Sequence, residues 1–143
     1  MPLGAFISSK EAMSKLTFDP PLGHITTFGG HPVSCAAGLA AQKAVEENGL
    51  MAHALKMEKR YRQGLKHPLI KSIRGRGLFL SVVLDNDVDI SRFISKAFKN
   101  QMVIDQFLFS DNSFRIAPPL IITREEVDDS IERILATLNG GMK

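Results

Sequence analysis

The chain has 143 residues, of which 44% are hydrophobic and 23% are charged, and its formal net charge is +3 at pH 7. This length accommodates one domain with a substantial core, and excludes two domains of full size. No stretch approaches the ~18 consecutive apolar residues of a membrane span, and the amino terminus lacks the basic region of a secretory signal. Because Cys35 is the only cysteine, it cannot form an internal disulfide. We therefore expect a cytoplasmic protein without a membrane partner.

The first 48 residues predict two helices with a glycine-rich loop between them. Ser8 and Glu11 form a capping-box pattern, and Pro20 and Pro21 end the short helix that follows. Pro32 suits the first position of a second helix, which Asn48 and Gly49 end. The first helix is expected to turn three residues inward: Ala12, Met13 and Leu16.

The rest of the chain mixes helices and short strands without strict alternation. The expected elements are a helix over 50–65, strands over 69–74 and 78–84 with a turn at 75–77, a helix over 90–98, one strand in two pieces over 102–104 and 107–108, a strand over 114–117, and a helix that Thr123 caps. The inward residues of the helix over 90–98 are expected to include Phe98. This order favours an α+β fold, with helices on one face of a small, mainly antiparallel sheet.

The stretch over 23–35 has the composition of an anion-binding loop. It places the hydroxyls of Thr26 and Thr27 beside the glycine pair 29–30 and just before the helix that starts at Pro32. Glycine-turn N–H groups and the first turn of a helix both present donors to an anion. The pattern equally fits a glycine loop that only caps a core helix, so the residues alone leave both interpretations open.

Arg115 is the second candidate, because it lies among apolar residues on a predicted strand. A guanidinium in such surroundings needs a partner that offsets its desolvation, and a carboxylate that accepts two hydrogen bonds is the best one. The residues leave three possibilities open: an outward-facing arginine, a ligand site, or an internal ion pair. The internal partners considered are Asp111, Glu125 and Asp128.

Positive charge is concentrated in residues 56–76, which we call the basic segment. Its cations are Lys56, Lys59, Arg60, Arg62, Lys66, Lys71, Arg74 and Arg76. Such a segment fits nucleic acid or an acidic partner, or else a solvated helix face that leads into a loop. Tyr61 is the only aromatic residue among these charges, which favours the solvated face over nucleic-acid binding.

The remaining polar residues predict no catalytic or metal site. The four histidines lack metal-ligand spacing, and the aspartates at 85, 87 and 89 lack the glycine and distal glutamate of a calcium loop. These aspartates are expected to lead into a helix, and Cys35 is expected to be a small buried thiol.

Four blocks, taken together and in order, resemble the class III (ornithine/acetylornithine-type) aminotransferases. They are residues 1–5 (MPLGA), 27–32 (TFGGHP) leading into 35–37 (CAA), 74–78 (RGRGL) and 114–120 (FRIAPPL). The resemblance implies the last third of a fold-type I pyridoxal-phosphate enzyme. Residues 1–48 would be the end of the large cofactor-binding domain with a connecting helix, and 49–143 the small C-terminal domain.

The resemblance also assigns roles to residues. Thr27 matches the threonine that binds the cofactor phosphate of the neighbouring subunit in a homodimer, and Arg115 matches the arginine that pairs with a substrate carboxylate. His31 is a departure, since the family usually has asparagine there, although the position still suits a helix cap. The implied reaction moves an amino group from an ornithine-like or ω-amine donor to a 2-oxo acid.

The family's Schiff-base lysine lies just before the segment that matches residues 1–3, so this chain is expected to contain no catalytic residue. Lys10, Lys15 and Lys43 do not match the lysine motif. The isolated chain is therefore expected to be inactive and to lack pyridoxal phosphate. The alternative is a stand-alone binding or dimerisation module that uses the basic segment as its contact surface.

Overall fold

The computed structural model describes residues 2–21, 23–107 and 109–140. The chain divides into two compact units, Met1–Asn48 and Gly49–Lys143, which are described separately. The described residues form five helices and a four-stranded sheet. The helices are α1 (Lys10–Phe18), α2 (Pro32–Glu47), α3 (Leu50–Gly64), α4 (Ile90–Lys99) and α5 (Arg124–Asn139). The strands are β1 (Ile70–Arg76), β2 (Phe79–Leu84), β3 (Asp105–Gln106) and β4 (Ser113–Ile116).

The first unit contains α1 and α2, joined by the glycine-rich loop. Ser9 caps α1 by accepting a hydrogen bond from the backbone N–H of Ala12 at 3.2 Å, so the predicted cap at Ser8 was wrong by one residue. Neither helix has a buried residue. Of the three residues predicted to face inward, Ala12 and Leu16 are exposed, so the prediction was wrong for them, whereas Met13 is half-buried.

The second unit contains the sheet, whose strand order is β1-β2-β4-β3 with every neighbouring pair antiparallel. This arrangement confirms the predicted α+β class with a small antiparallel sheet. The strand predicted over 102–104 and 107–108 was wrong, because β3 comprises only Asp105–Gln106. Leu108 lies outside the described residues.

Alternation along β2 divides the sheet into a buried face and an open face. Leu80, Val82 and Leu84 are fully buried, whereas Phe79 between the turn and Leu80 is 58% exposed. The buried face packs on the helices, as the ring centroids of Phe93 on α4 and Phe114 on β4 lie 4.7 Å apart. The core also includes residues of α3 and α5: Ala54, Met57, Tyr61, Val127, Ile131, Ile134 and Leu138.

Three local details decide where elements begin and turn. Thr123 forms the predicted capping box with Glu126 at the start of α5. Asp89 caps α4, as expected of an acidic turn that leads into a helix. The hairpin turns at 77–78, not at 75–77, because Gly75 remains paired with Leu80 inside the ladder.

Phe98 is 71% exposed, so its predicted inward position on α4 was wrong.

Candidate functional site

Thr27 lies in a double turn that leads into α2. The backbone N–H of Gly29 donates to the carbonyl oxygen of Thr26, and that of His31 donates to the carbonyl oxygen of Phe28, each at 3.2 Å. Gly30 adopts a φ of 69°, which a type II turn requires at its third position and which glycine accepts without steric cost. The two turns thus hold the loop against the start of the helix.

The loop borders a cavity of about 410 Å³ that Thr27, Gly30 and Ser34 line together with residues 2–4. The cavity adjoins the first turn of α2, where backbone N–H groups have no partner within the helix and the helix dipole is positive. A hydroxyl beside such donors is suited to an anion of phosphate size. The anion-binding role of this stretch stays a prediction.

His31 occupies the N-cap position of α2, yet its side chain makes no capping hydrogen bond. Its Nδ1 is buried without a hydrogen-bond partner among the described residues. The ring instead lies near Phe28, with the two ring centroids 6.2 Å apart. His31 thus occupies the position that a capping residue would take, without the side-chain contact.

Arg115 lies on β4 with its side chain on the open face of the sheet. Its guanidinium donates a hydrogen bond to the carboxylate of Asp105, its antiparallel partner on β3. The side chain of Arg115 is 40% exposed, and it lines cavities of about 220 Å³ and 540 Å³. The internal partners considered from the sequence were wrong, because Asp105 forms this pair and Asp128 pairs with Arg60.

Sequence reasoning missed Asp105, because it fell between two predicted strand pieces. Only the register of β3 against β4 places it opposite Arg115. The signal present in the sequence was a lone carboxylate at the edge of a predicted strand. That signal is too common at strand ends to single out a site.

The basic segment contains several cations that already have internal partners. Arg60 pairs with Asp128, Arg62 with Glu58 and Lys71 with Asp85. The Arg60 guanidinium holds the pKa of the Asp128 carboxyl below its ordinary value. Hydrogen bonds from the backbone N–H of Gly77 and from Arg62 likewise lower the pKa of Glu58. These pairs tie the segment to α5 and to the hairpin.

The other polar residues singled out from the sequence either contact polar groups within the fold or are exposed. His53 contacts the carbonyl oxygen of Ile122 at 2.7 Å, and His67 contacts Asn139 at 3.1 Å. Cys35 is exposed, so the expectation of a buried thiol was wrong. The three lysines of the first unit, at positions 10, 15 and 43, are all exposed on helices.

Comparison with known proteins identifies the family. The family model described as aminotransferase class-III matches residues 1–138. The chain belongs to the class III aminotransferases. The acetylornithine aminotransferase of Caldanaerobacter subterraneus subsp. tengcongensis is 36% identical over 136 residues, which is 92% of this chain and 33% of that protein. The ornithine aminotransferase of Staphylococcus carnosus is 36% identical over 137 residues, which is 94% of this chain and 33% of that protein.

Solved structures of the family have the same fold. The ornithine aminotransferase from Toxoplasma gondii aligns with a TM-score of 0.76 and 31% identity, over 91% of this chain and 31% of that chain. That structure is described as having partial occupancy of PLP at its active site, and class III aminotransferases use pyridoxal phosphate. This aminotransferase chain spans about a third of the length of the curated relatives it matches. Within the described ranges, no helix has the length and apolar character needed to cross a bilayer.

Proposed function

We propose that this chain is the C-terminal part of a pyridoxal-phosphate-dependent transaminase. Its parent moves an amino group between an ornithine-like or ω-amine donor and a 2-oxo acid. In this proposal residues 1–48 close the large cofactor-binding domain, and 49–143 form the small C-terminal domain. The observation that carries it is the family match over residues 1–138, which includes both Thr27 and Arg115.

Thr27 is the residue proposed to hold the cofactor phosphate. Its loop supplies a hydroxyl, a turn fixed by Gly30 and the donor-rich start of α2 around one cavity. These groups fit a phosphate, because oriented N–H groups and a hydroxyl satisfy its oxygens without a further charged side chain. By resemblance the phosphate belongs to the neighbouring subunit of a homodimer.

Arg115 is the residue proposed to orient the substrate carboxylate. Its side chain is half-exposed beside two cavities and is paired with one exposed carboxylate, which leaves the fork accessible to a second one. A guanidinium matches a carboxylate with two parallel hydrogen bonds, so it fixes direction as well as distance. Its role is to position substrate, since it transfers no proton.

Pyridoxal phosphate, when bound, withdraws electrons from the substrate carbon that exchanges its amino group. We propose that the lysine required for that chemistry comes from outside this chain, because none of its lysines matches the family motif. The exposed positions of Lys10, Lys15 and Lys43 agree with this proposal. The 143 residues alone should therefore give no transaminase turnover with ornithine and 2-oxoglutarate.

A hybrid enzyme tests the proposal. The matching C-terminal third of the Caldanaerobacter acetylornithine aminotransferase is replaced by this chain, and amino transfer to 2-oxoglutarate is assayed. We expect turnover in the hybrid and none in either part alone. A folded, dimeric hybrid without activity would count against the assignment, as would turnover by the 143 residues alone.

Cofactor affinity then tests Thr27. Thr27→Ala should raise the dissociation constant of the hybrid for pyridoxal phosphate about ten-fold, a loss typical of one hydrogen bond to a charged group. Thr27→Ser, which keeps the hydroxyl, should stay near the parent value. Equal affinity in all three proteins would remove the phosphate role from Thr27.

Mixed dimers test whether Thr27 acts across the interface. One subunit carries Thr27→Ala and the other lacks the lysine of the relative's portion. If Thr27 serves the neighbouring site, the only site with a lysine receives an intact Thr27 and keeps full cofactor affinity. If Thr27 serves its own subunit, that site is impaired.

The alternative of a binding or dimerisation module with the basic segment as its contact surface stays a separate prediction. It requires a strongly salt-dependent affinity of the chain for a nucleic acid or an acidic protein. The ion pairs of Arg60, Arg62 and Lys71 give no support to it, since they direct part of the segment's charge inward. We also propose a cytoplasmic location, in keeping with the exposed free thiol of Cys35.

A further inference from the structure

Strand β1 is the longer of the two edge strands of the sheet. The strand order β1-β2-β4-β3 leaves β1 and β3 each with one unpaired side, but β1 has seven residues and β3 only two. An unpaired side presents backbone N–H and C=O groups to any other strand, and a very short edge strand offers few of them. Among the described strands, the outer side of β1 is therefore where a second chain has most backbone to pair with.

One side chain occupies the acceptors on that side. Ile73 and Gly75 lie two residues apart on β1, and alternate residues of an antiparallel ladder direct both backbone groups away from the partner strand. Arg62 on α3 donates from Nη1 to the carbonyl oxygen of Ile73 at 2.6 Å and from Nη2 to the carbonyl oxygen of Gly75 at 2.9 Å. These two carbonyls are the acceptors that an added strand would use.

Glu58 holds the guanidinium in this position. Arg62 donates from Nε to Oε1 of Glu58 at 2.8 Å, one turn earlier on the same helix, and the other Glu58 oxygen accepts from the backbone N–H of Gly77 at 2.6 Å. The side chains of Arg62 and Glu58 are 35% and 16% exposed, so water reaches these groups only in part. The planar fork of arginine, aligned by a carboxylate, satisfies two carbonyls with a fixed geometry.

We propose that the outer side of β1 is a pairing surface for a second copy of this chain, and that Arg62 keeps it closed. The occupant follows from symmetry. Two β1 strands that pair antiparallel around Arg74 bring Ile73 of one copy opposite Gly75 of the other, so each copy supplies the same donors and acceptors. This pair forms only after both guanidinium groups have left their carbonyls. The inference does not depend on the transaminase role.

Positive charge on β1 opposes the same pairing. Pairing around Arg74 places the two Arg74 side chains directly opposite each other, and Lys71 and Arg76 add further positive charge to each strand. Directly opposed like charges destabilise paired strands, and salt screens their repulsion. Self-association through β1 is therefore expected to be strongest when Arg62 is absent and the salt concentration is high.

Self-association of the 143-residue chain, measured by analytical ultracentrifugation in about 0.5 M sodium chloride, tests the proposal. In Arg62→Ala, the charged hydrogen bonds no longer compete in either copy. A gain of about ten-fold per copy lowers the dimer dissociation constant about a hundred-fold relative to the parent, and Arg62→Lys should lie between the two. Arg60→Ala is the matched control, because Arg60 lies on the same helix, is 31% exposed and pairs with Asp128.

Amide hydrogen exchange at Ile73 locates the contact. The N–H of Ile73 points to the outer side of β1, so a strand added there gives it a hydrogen-bond partner. Ile73 is the better reporter, since Gly75 has a φ of 106° and departs from extended backbone. We expect exchange at Ile73 in Arg62→Ala to slow as the protein concentration rises. The exposed apolar side chains of the first unit are common to both proteins, so association through them does not distinguish parent from variant.

Three results would overturn the proposal. They are equal association of the parent and Arg62→Ala, association of Arg62→Ala without slower exchange at Ile73, and an equal gain in Arg60→Ala. If Arg62→Ala does not give the dispersed NMR spectrum of a folded chain, Glu58→Gln takes its place, because it keeps the arginine and removes the charge that aligns it. Glu58→Gln should associate more tightly than the parent, and the absence of any difference would likewise contradict the role of Arg62.

Discussion

The carboxylate of Glu58 accepts a hydrogen bond from the backbone N–H of Gly77 at 2.6 Å, which joins helix α3 to the turn of the β1–β2 hairpin. Arg62 donates to the same carboxylate through Nε at 2.8 Å. Its remaining nitrogens donate to the carbonyl oxygens of Ile73 and Gly75 at 2.6 Å and 2.9 Å. Arg62 thus satisfies two main-chain carbonyls of the edge strand β1, which a partner strand would otherwise pair with, and Glu58 satisfies an N–H of the adjoining turn.

Removal of the Glu58 carboxylate should weaken this connection between α3 and the hairpin. We expect Glu58→Ala to lower the free energy of unfolding by about 2 kcal/mol, because a charged hydrogen bond to a backbone N–H is lost in a site where the side chain is 16% exposed. Urea unfolding followed by circular dichroism measures the change. Glu132→Ala, which removes an exposed carboxylate from α5, should have little effect.

The stability contributed by the hydrogen bonds of Glu58 depends on pH with a defined sign. The hydrogen bonds from Gly77 and Arg62 lower the pKa of folded Glu58 below its ordinary value of 4.5. The stabilisation is therefore fully present above pH 4.5 and is lost as the pH falls through the lower folded pKa. Glu58→Gln should lose less stability than the parent over this acid range, and parallel acid profiles would contradict the assignment.

Tyr61 makes stability depend on pH in the opposite sense, in the alkaline range. The ring is 2% exposed, and burial raises the pKa of its hydroxyl above the ordinary value of 10.0. Stability from this group is complete below pH 10.0 and falls as the pH rises toward the folded pKa. Tyr61 is the only tyrosine, so tyrosinate absorbance reports it alone. The titration midpoint should lie above that of the urea-unfolded chain.

The hydroxyl of Tyr61 donates its hydrogen bond to Ser130. Ser130 donates its proton to the carbonyl oxygen of Val127 at 2.7 Å, so in the 2.9 Å contact between the two hydroxyls Tyr61 is the donor. Tyr61→Phe should then cost about 1 kcal/mol of unfolding free energy, a typical neutral hydrogen bond. Ser130→Ala should cost a similar amount, and the double variant less than the sum.

Local signals predicted most elements of this chain correctly. The capping box at Thr123 and the apolar period of α3 and α5 depend only on neighbours in the sequence, and the structure retains them. The errors fall where tertiary context decides. Phe98 fits the helical period of α4 but lies at the margin of its buried stripe, and it is 71% exposed.

Prediction of the candidate site had the same limit. Arg115 was identified because a guanidinium among apolar residues demands a partner, but the partner depends on strand register. A two-residue strand such as β3 carries no periodic pattern, so its alignment with β4 could not be read from the sequence. The loop of Thr27 was predictable because glycine, threonine and proline spacing is itself local.

The two hairpin glycines should differ sharply in their tolerance of alanine. Gly75 has a φ of 106°, and a Cβ there would lie 2.2 Å from the carbonyl oxygen of Phe79. Gly77 has a φ of 60°, and its nearest neighbour would be the Cβ of Ala54 at 3.5 Å. Gly75→Ala should therefore cost about 3 kcal/mol, and Gly77→Ala about 1 kcal/mol. Urea midpoints rank the two, and a larger loss at Gly77 would contradict this geometry.

Arg115 should tolerate neither loss of charge nor loss of its planar fork. In the hybrid enzyme, Arg115→Lys keeps the charge but not the two parallel hydrogen bonds, so KM for 2-oxoglutarate should rise about ten-fold. Arg115→Gln removes the charge as well, and we expect a rise of about a hundred-fold.

The control for these variants is Arg124→Lys, an exposed arginine at the start of α5 that should leave KM unchanged. Affinity for pyridoxal phosphate should stay constant throughout, because Arg115 is proposed to contact substrate and not cofactor. If Arg115→Lys weakened cofactor binding as much as it raised KM, the change would reflect a disturbed fold. A carboxylate role predicts that the substitutions change only KM. It also predicts a smaller change in KM when the assay uses a substrate that lacks the carboxylate.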